Sequence, residues 1–257
     1  MTNGSVELTI SGGVASVLFN RPESQNAMSF AMYDRLAQAC AQISADNTVR
    51  AVVFRGAGEA FVAGTDIKEF REFKTAEDGL QYESRIEATI ALVERIAVPT
   101  LAVVTGAAMG GGLILAAACD LRLVNPRARF GVPIARTLGN CLSVANTARL
   151  VASLGVSRAK RMLLLAHIID AEEAVACGFA LEVVPSEEID RRAAEVAGVL
   201  RSNAPLTLRI AKEAIRRLEA AGRPNGDDLV RLAYGSGDFK EGVSAFLEKR
   251  RPAWTGS

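Results

Sequence analysis

The chain has few of the residues on which metal sites and disulfide scaffolds depend. Its 257 residues include one histidine, four cysteines and one tryptophan. The cysteines show none of the short spacings typical of zinc sites, so we predict that the protein binds no metal. Three of the four stand in apolar segments, which favours reduced thiols in a cytoplasmic protein. They are Cys40, Cys119, Cys141 and Cys177.

The chain also lacks an excess of charge of one sign, and it lacks long apolar runs. The 30 basic and 29 acidic side chains give a formal net charge of +1 and are mixed along the chain, so we predict no nucleic-acid partner. The longest apolar stretch, from Leu113 to Cys119, is far shorter than the roughly 20 residues needed to cross a bilayer. Residues 1–5 lack the basic and apolar regions of a secretory signal. We therefore predict a soluble, cytoplasmic protein with no membrane partner.

The hydrophobic content of 49% is high enough for a sizeable core. β-Branched and alternating runs predict strands at residues 6–10, 14–19, 49–55, 100–105, 121–124 and 179–184. Apolar spacings of three and four residues, together with cap residues, predict helices after Ser29 and Asp170 and over residues 86–96, 187–200, 205–221 and 227–251. Beyond about residue 185 the chain is predicted to be helical.

Two glycine segments stand out, Phe61 to Lys68 and Gly106 to Gly112. Each follows a predicted buried strand, and the second leads directly into an apolar segment. A backbone without side chains at the start of a helix leaves N–H groups free and exposes the positive end of the helix dipole. The segments therefore predict a site that stabilises negative charge as it develops on a bound molecule.

Other interpretations of these glycines remain open. Glycine clusters after strands also occur in tight turns and where two backbones pack closely. A nucleotide site is a weaker interpretation. No Gly-Lys-Ser/Thr follows, and a dinucleotide fingerprint needs Gly-x-Gly-x-x-Gly near the first strand.

Five segments in this order and spacing resemble the crotonase superfamily, the enoyl-CoA hydratase/isomerase group. They are Asn20 to Ala27, Ala60 to Ile67, Gly106 to Gly112 with Cys119-Asp120, Phe130 to Pro133, and Lys240 to Arg250. The resemblance extends over nearly the whole chain. It implies an α/β fold with a crotonase (ClpP-like) β-β-α spiral core over residues 1–195. It also implies an α-helical C-terminal trimerisation region over residues 196–257, and a homotrimer or a dimer of trimers.

The resemblance implies an acyl-CoA thioester substrate and no cofactor beyond the coenzyme A of that substrate. The backbone amides of Thr65 and Gly111 match the pair that holds the enolate oxygen in this family. Threonine is an unusual side chain at its position. Phe246 and Lys249 match residues at the nucleotide end of coenzyme A that a partner subunit can supply. The matched coenzyme A positions are Ser24, Gln25, Ala63, Asp66, Ile67, Lys68, Phe246 and Lys249.

Both catalytic glutamates of the family's hydratases are absent. Their positions hold Ile114 and Ile134, which cannot activate water or move a proton. Nearby polar residues are candidates to replace them. Arg136 could hold a substrate carboxylate, and Asn140 or Ser143 could hydrogen-bond a water or a carboxylate. Cys141 is a further candidate. The one histidine, His167, could serve as a base, but its place just before the Asp170 cap favours a surface or hydrogen-bonded histidine.

The function predicted from the resemblance is acyl-CoA chemistry through a thioester enolate. Among the possible reactions, the hydratase/isomerase class is the first prediction. The two isoleucines favour a divergent chemistry such as decarboxylation, which generates the enolate by loss of carbon dioxide. A member that only binds acyl-CoA remains a further alternative.

Overall fold

The computed structural model describes residues 4–220 and 227–255. In this part of the chain eight strands form two sheets, and helices pack around them. The strands are β1 (Ser5–Ser11), β2 (Val14–Asn20), β3 (Ala51–Gly56), β4 (Thr100–Val104), β5 (Ala107–Met109), β6 (Leu121–Val124), β7 (Arg129–Gly131) and β8 (Ile168–Asp170).

The α-helices alternate with these strands and then form the end of the chain. They are α1 (Phe30–Ala45), α2 (Ala76–Glu94), α3 (Gly111–Ala118), α4 (Ile134–Thr137), α5 (Val144–Leu154), α6 (Val156–Leu164), α7 (Ala171–Ala176), α8 (Ile189–Ser202), α9 (Pro205–Ala220), α10 (Asp227–Gly235) and α11 (Gly237–Leu247). Two 3-10 helices, Pro22–Ser24 and Ile67–Glu72, lie in the loops after β2 and β3.

The larger sheet has the strand order β1-β2-β3-β4-β6. The strands predicted at residues 6–10 and 14–19 form an antiparallel hairpin of β1 and β2, and the remaining neighbours are parallel. The smaller sheet has the order β5-β7-β8. Because parallel strands end at the same edge, the two glycine segments, which follow β3 and β4, start from one side of the sheet. The α/β class predicted from the sequence is confirmed.

The central strand β4 is buried at all five positions, because helices cover both faces of the sheet. Ala102 and Val104 face the main core with side chains of α1 and α2, such as Leu36 and Ile90. Leu101 and Val103 face a second cluster that α8 completes. Burial on both faces explains why this strand is uniformly apolar in sequence.

The last two helices return to the body of the molecule. Helix α10 packs along α2, and α11 contacts the 3-10 helix Ile67–Glu72 and α4. They enclose an apolar cluster of six buried residues, which we call the aromatic cluster: Phe70, Leu138, Val230, Tyr234, Phe239 and Val243. The helical C-terminal region implied by the resemblance is confirmed, and α10 and α11 cover part of the same chain.

Asp120, of the Cys119-Asp120 pair in the resemblance, has a structural role. Its carboxylate accepts hydrogen bonds from the Thr100 backbone N–H at 2.7 Å and hydroxyl at 2.9 Å, at the start of β4. The same carboxylate oxygen contacts Lys212 Nζ of α9 at 2.7 Å. The motif therefore joins the sheet to α9.

Several sequence predictions differ from the structure. The strand predicted at residues 179–184 is wrong: Val183 forms only an isolated bridge with Val124, and Leu181 and Val184 reach β6 through single hydrogen bonds. The helix predicted at 86–96 begins ten residues earlier, at Ala76, because Thr75 and Asp78 form a reciprocal capping box. The final predicted helix is two helices, since the Ser236 side chain caps α11.

Residue 221, the predicted end of the helix that starts at Pro205, lies outside the described residues. The proposed division at residues 195 and 196 falls within α8 and stays a prediction.

Candidate functional site

The two glycine segments lie side by side. The amides of Phe61 and Val62 donate to the Ala107 carbonyl oxygen at 3.0 and 3.1 Å, and the Met109 amide donates back to Val62 at 3.0 Å. Gly112 completes the contact, because a Cβ at this position would overlap the Val62 carbonyl oxygen. This pairing brings Thr65 next to the first turn of α3.

Thr65 and Gly111 are neighbours at the start of that helix. Gly111 is the first residue of α3, and Gly110 before it takes a φ of 50°, which favours glycine. A Cβ built on Gly111 would lie 3.6 Å from Thr65 Oγ1. Within the described part of the chain, neither backbone amide donates a hydrogen bond to a protein acceptor. Two free donors therefore lie close together at the positive end of a helix.

Three hydroxyl groups meet at the Thr65 side chain. Thr65 Oγ1 lies 2.9 Å from the Tyr33 hydroxyl and 2.7 Å from the Tyr82 hydroxyl. Tyr33 comes from α1 and Tyr82 from α2, so the threonine joins two helices. Burial raises the pKa of Tyr33 to about 12 and that of Tyr82 well above its usual 10, so both remain neutral at physiological pH.

The segments matched to coenzyme A binding are joined to each other. The Gln25 carbonyl oxygen accepts from the Ala63 amide at 3.0 Å. Asp66 caps the 3-10 helix Ile67–Glu72 through the Lys68 amide, and it forms a 2.8 Å ion pair with Arg21. Buried Asn26 fixes this loop, because its side-chain amide donates to the Ala60 carbonyl oxygen at 2.8 Å.

The remaining matched positions differ in exposure. Ser24 is half-buried at the end of the 3-10 helix Pro22–Ser24, and Ile67 packs against the aromatic cluster. Lys68 is exposed beside them. At the end of α11, Phe246 is 48% exposed and Lys249 is exposed with a φ of 56°. The coenzyme A roles of these positions stay predictions.

Apolar packing surrounds both positions from which the glutamates are absent. Ile114 is completely buried in the main core. Ile134 is half-buried at the start of α4, where it packs against the main core and the aromatic cluster. Neither side chain offers a proton or a lone pair, so any acid or base must come from elsewhere.

The substitutes predicted from sequence have different environments. Arg136 is exposed on α4. The Ser143 hydroxyl accepts from the Asn146 amide at 3.2 Å and caps α5. Asn140 donates to the Tyr234 hydroxyl at 3.1 Å, and its buried Oδ1 has no partner within the described residues. Cys141 is partly buried, and burial raises the pKa of its thiol to about 12. Of these four residues, Asn140 is the one with a buried polar atom that lacks a partner within the described residues.

A buried carboxyl group that the sequence did not indicate, that of Glu83, contacts Ser143 directly and Asn140 through Tyr234. Glu83 accepts from the Tyr234 hydroxyl at 2.8 Å and from the Ser143 amide at 2.9 Å. Burial raises its pKa from 4.5 to about 7, although hydrogen bonds from Tyr234 and Ser143 oppose the shift. Its position before the predicted helix at 86–96 gave no sign of burial, which depends on contacts from α5 and α10.

The remaining titratable candidates lie elsewhere. His167 is half-buried before β8, and its Nε2 lies 3.8 Å from Glu173. Among residues 4–220 and 227–255, no group of three or more histidine, cysteine, aspartate or glutamate side chains is arranged to hold a metal ion. Over the same residues, no helix has the length and apolar character needed to span a membrane. All four cysteines are free thiols.

Comparison with known proteins shows the family of the chain. The family model for enoyl-CoA hydratase/isomerase matches residues 9–257. The chain is 34% identical over 256 residues to the short-chain-enoyl-CoA hydratase of Clostridium acetobutylicum, with 98% of this chain and 97% of that protein covered. It is 36% identical to a putative enoyl-CoA hydratase of Thermus thermophilus over 248 residues, covering 94% and 97% of the two chains.

Solved structures give the same result. An enoyl-CoA hydratase/carnithine racemase from Magnetospirillum magneticum is 33% identical, with a TM-score of 0.81 and coverage of 98% and 96%. Methylmalonyl-CoA decarboxylase complexed with 2S-carboxypropyl-CoA is 27% identical, with a TM-score of 0.89 and 98% coverage of both chains. The chain therefore belongs to the enoyl-CoA hydratase/isomerase family of the crotonase superfamily.

Proposed function

We propose that this protein binds acyl-CoA thioesters and stabilises their enolate form with the backbone amides of Thr65 and Gly111. The observation that carries the proposal is the pair of unpaired amides at the start of α3. Two fixed N–H donors in an enclosed site stabilise a developing oxyanion, and losing one such donor costs about 2.7 to 4 kcal/mol in known enzymes. Membership of the family supports the same substrate class.

Two reaction classes follow for the proposed enolate. Hydration or isomerisation comes first, because the family model and the curated relatives carry that name. Decarboxylation is the second candidate, because Ile114 and Ile134 supply no acid or base and the fold is similar to that of methylmalonyl-CoA decarboxylase. Loss of carbon dioxide leaves its bonding electrons on the thioester as the enolate, so the first step needs only an oxyanion site.

Mass spectrometry of products from crotonyl-CoA, a 3-enoyl-CoA and methylmalonyl-CoA would separate these reactions. We expect slow or no hydration of crotonyl-CoA, since neither catalytic glutamate is present. Hydration at about 1 to 1000 per second, the ordinary range for enzymes, would contradict that expectation. Binding of all three esters without any product would favour a member that only binds acyl-CoA.

Replacing Gly111 by proline should remove one donor and lower kcat/KM by about 100- to 1000-fold. Proline is tolerated at the first residue of a helix, where its missing N–H breaks no helical hydrogen bond. Because a Cβ here lies 2.6 Å from the Tyr33 hydroxyl oxygen, Gly111→Ala is the matched control. It adds the same Cβ and keeps the N–H. Equal losses in both variants would show that crowding, and not the donor, is responsible.

A trimer, or a dimer of trimers, in the cytoplasm belongs to the same proposal. In one chain α9 exposes four large apolar side chains, Leu206, Ile210, Ile215 and Leu218, which favours burial against another copy. Light scattering should give a mass of three or six times the 27.2 kDa of one chain. A species of one chain's mass at micromolar concentration would contradict the assembly.

A further inference from the structure

One of the three hydroxyl protons of Tyr33, Thr65 and Tyr82 has no hydrogen-bond acceptor among these groups. The three groups carry three protons, while the two contacts between them, at 2.9 and 2.7 Å, use two. Within the described residues, neither tyrosine hydroxyl has another hydrogen-bond partner. A buried hydroxyl without an acceptor is costly, so the third proton needs a ligand or a water.

The position of Tyr33 indicates where this proton points. Its hydroxyl oxygen lies 2.6 Å from the place that a Gly111 Cβ would occupy. The hydroxyl therefore occupies the space that a side chain would take on Gly111, the residue whose amide is proposed to bind the enolate oxygen. A larger residue at position 111 would displace the hydroxyl. The glycine thus serves two purposes: it starts α3 and it admits Tyr33.

We propose that the Tyr33 hydroxyl is a third hydrogen-bond donor to the oxygen of the bound thioester, and that Thr65 and Tyr82 orient this hydroxyl. In this arrangement Tyr82 donates to Thr65, Thr65 donates to Tyr33, and Tyr33 donates to the ligand. Tyr33 is the group that touches the ligand, whereas Thr65 and Tyr82 are positioning residues. The proposal rests on the acyl-CoA site described above and adds a donor to its two amides.

The chemistry of the three residues fits this role. Both tyrosines stay protonated over the physiological range, so they donate without themselves carrying charge. Tyr33 is buried, and Phe30 and Phe70 flank the ring of Tyr82, which limits competition from water. A hydrogen bond to an ionised oxygen in such surroundings is stronger than one to a neutral carbonyl. The donor therefore favours the enolate over the bound ground state.

The arrangement also explains the threonine at position 65. The amide of this residue needs no particular side chain, so an alanine or glycine would serve the backbone donor equally well. The bridge between the two tyrosines is made by the hydroxyl that threonine carries on Cβ. Serine is the one other standard residue with the same group. Thr65→Val keeps the shape and the amide and removes only the bridge.

Acetoacetyl-CoA is a suitable probe, because its ionisation to the enolate can be followed by ultraviolet absorbance while it is bound. Butyryl-CoA, which does not ionise in the accessible pH range, measures binding of the thioester alone. The pKa of bound acetoacetyl-CoA should rise by about one to two units in Tyr33→Phe, the range expected for one hydrogen bond to a charged group. Thr65→Val should give a smaller rise, and Tyr82→Phe the smallest.

Two control variants make the result specific. Thr65→Ser is the rescue variant: it keeps a hydroxyl on Cβ, so the pKa of bound acetoacetyl-CoA should fall below that in Thr65→Val. Thr89→Val removes a buried hydroxyl that bonds to the Arg85 carbonyl oxygen at 3.1 Å, away from the glycine segments, and should leave the bound ligand's pKa unchanged. Thr65→Val and Tyr33→Phe test the same bond from its two ends, so one folded variant is enough for the measurement.

The outcomes separate this proposal from the proposed function. If neither ester binds to the wild type at tens of micromolar, the acyl-CoA function is wrong. If both bind and the pKa of bound acetoacetyl-CoA is the same in wild type, Tyr33→Phe and Thr65→Val, the third donor is wrong and the two amides act alone. A rise in Tyr33→Phe that Thr65→Ser does not share supports the proposal.

Discussion

Gly112→Ala should lower the free energy of unfolding by about 3 kcal/mol, at the upper end of the range for overpacked interiors. A Cβ at this position would overlap the Val62 carbonyl oxygen and lie 2.8 Å from its carbonyl carbon. Both groups are backbone, so no side-chain rotation relieves the overlap. The first turn of α3 must move away from the other glycine segment, which also separates Gly111 from Thr65.

Urea unfolding of the purified protein measures this effect, and Gly198→Ala is the matched control. Gly198 lies in the middle of α8, where an added Cβ meets no atom within 4 Å. Alanine there should stabilise the protein by about 0.5 to 1 kcal/mol, the usual difference between the two residues in a helix. Equal unfolding midpoints for wild type and Gly112→Ala would show that the close contact has no energetic consequence.

Glu83→Gln should change the pH dependence of stability by about 3 kcal/mol between pH 5 and pH 8. The wild-type carboxyl has an ordinary pKa of 4.5 when the chain is unfolded and a pKa of about 7 in the folded protein. Between these values the folded state binds the proton more tightly, so stability falls as the pH rises. Glutamine resembles the protonated acid, and the variant should lose this part of the decline.

The measurement is the free energy of unfolding of both proteins at pH 5 and pH 8. We expect similar stability at pH 5 and a more stable glutamine variant at pH 8. Glu72→Gln, at an exposed position, should follow the wild type at both values. A glutamine variant that is less stable than wild type by the same amount at both pH values would mean that Glu83 acts only as a hydrogen-bond acceptor.

The main features of the site follow from the sequence because they depend on the backbone. The segments Phe61 to Lys68 and Gly106 to Gly112 follow strands that pair in parallel, so their proximity follows from the order of the elements. Each local signal agrees with the fold at these places. The same holds for the Ser29 cap of α1 and for the hairpin, which need only neighbouring residues.

Side chains that come from distant elements could not be predicted in this way. In sequence Tyr33 is one apolar position of an amphipathic helix, and Glu83 is an ordinary polar residue. Only packing places the Tyr33 hydroxyl at Gly111 and encloses Glu83 between α2, α5 and α10. The strand expected at residues 179–184 failed for a related reason. Its apolar residues pack beside β6 without forming a continuous ladder.

The bond between Tyr234 and Glu83 bears on the order in which the molecule assembles. It joins residues 151 positions apart, and α10, which supplies the tyrosine, is among the last segments to leave the ribosome. Closing so long a loop has a large entropic cost, so these contacts are expected to form after the sheet and α1 to α3. The proposed donors, the amides of Thr65 and Gly111, and the aromatic cluster would then form at different times. We expect local opening of α10 to expose the aromatic cluster before the first turn of α3 moves, so hydrogen exchange should detect two separate protection levels within the candidate site.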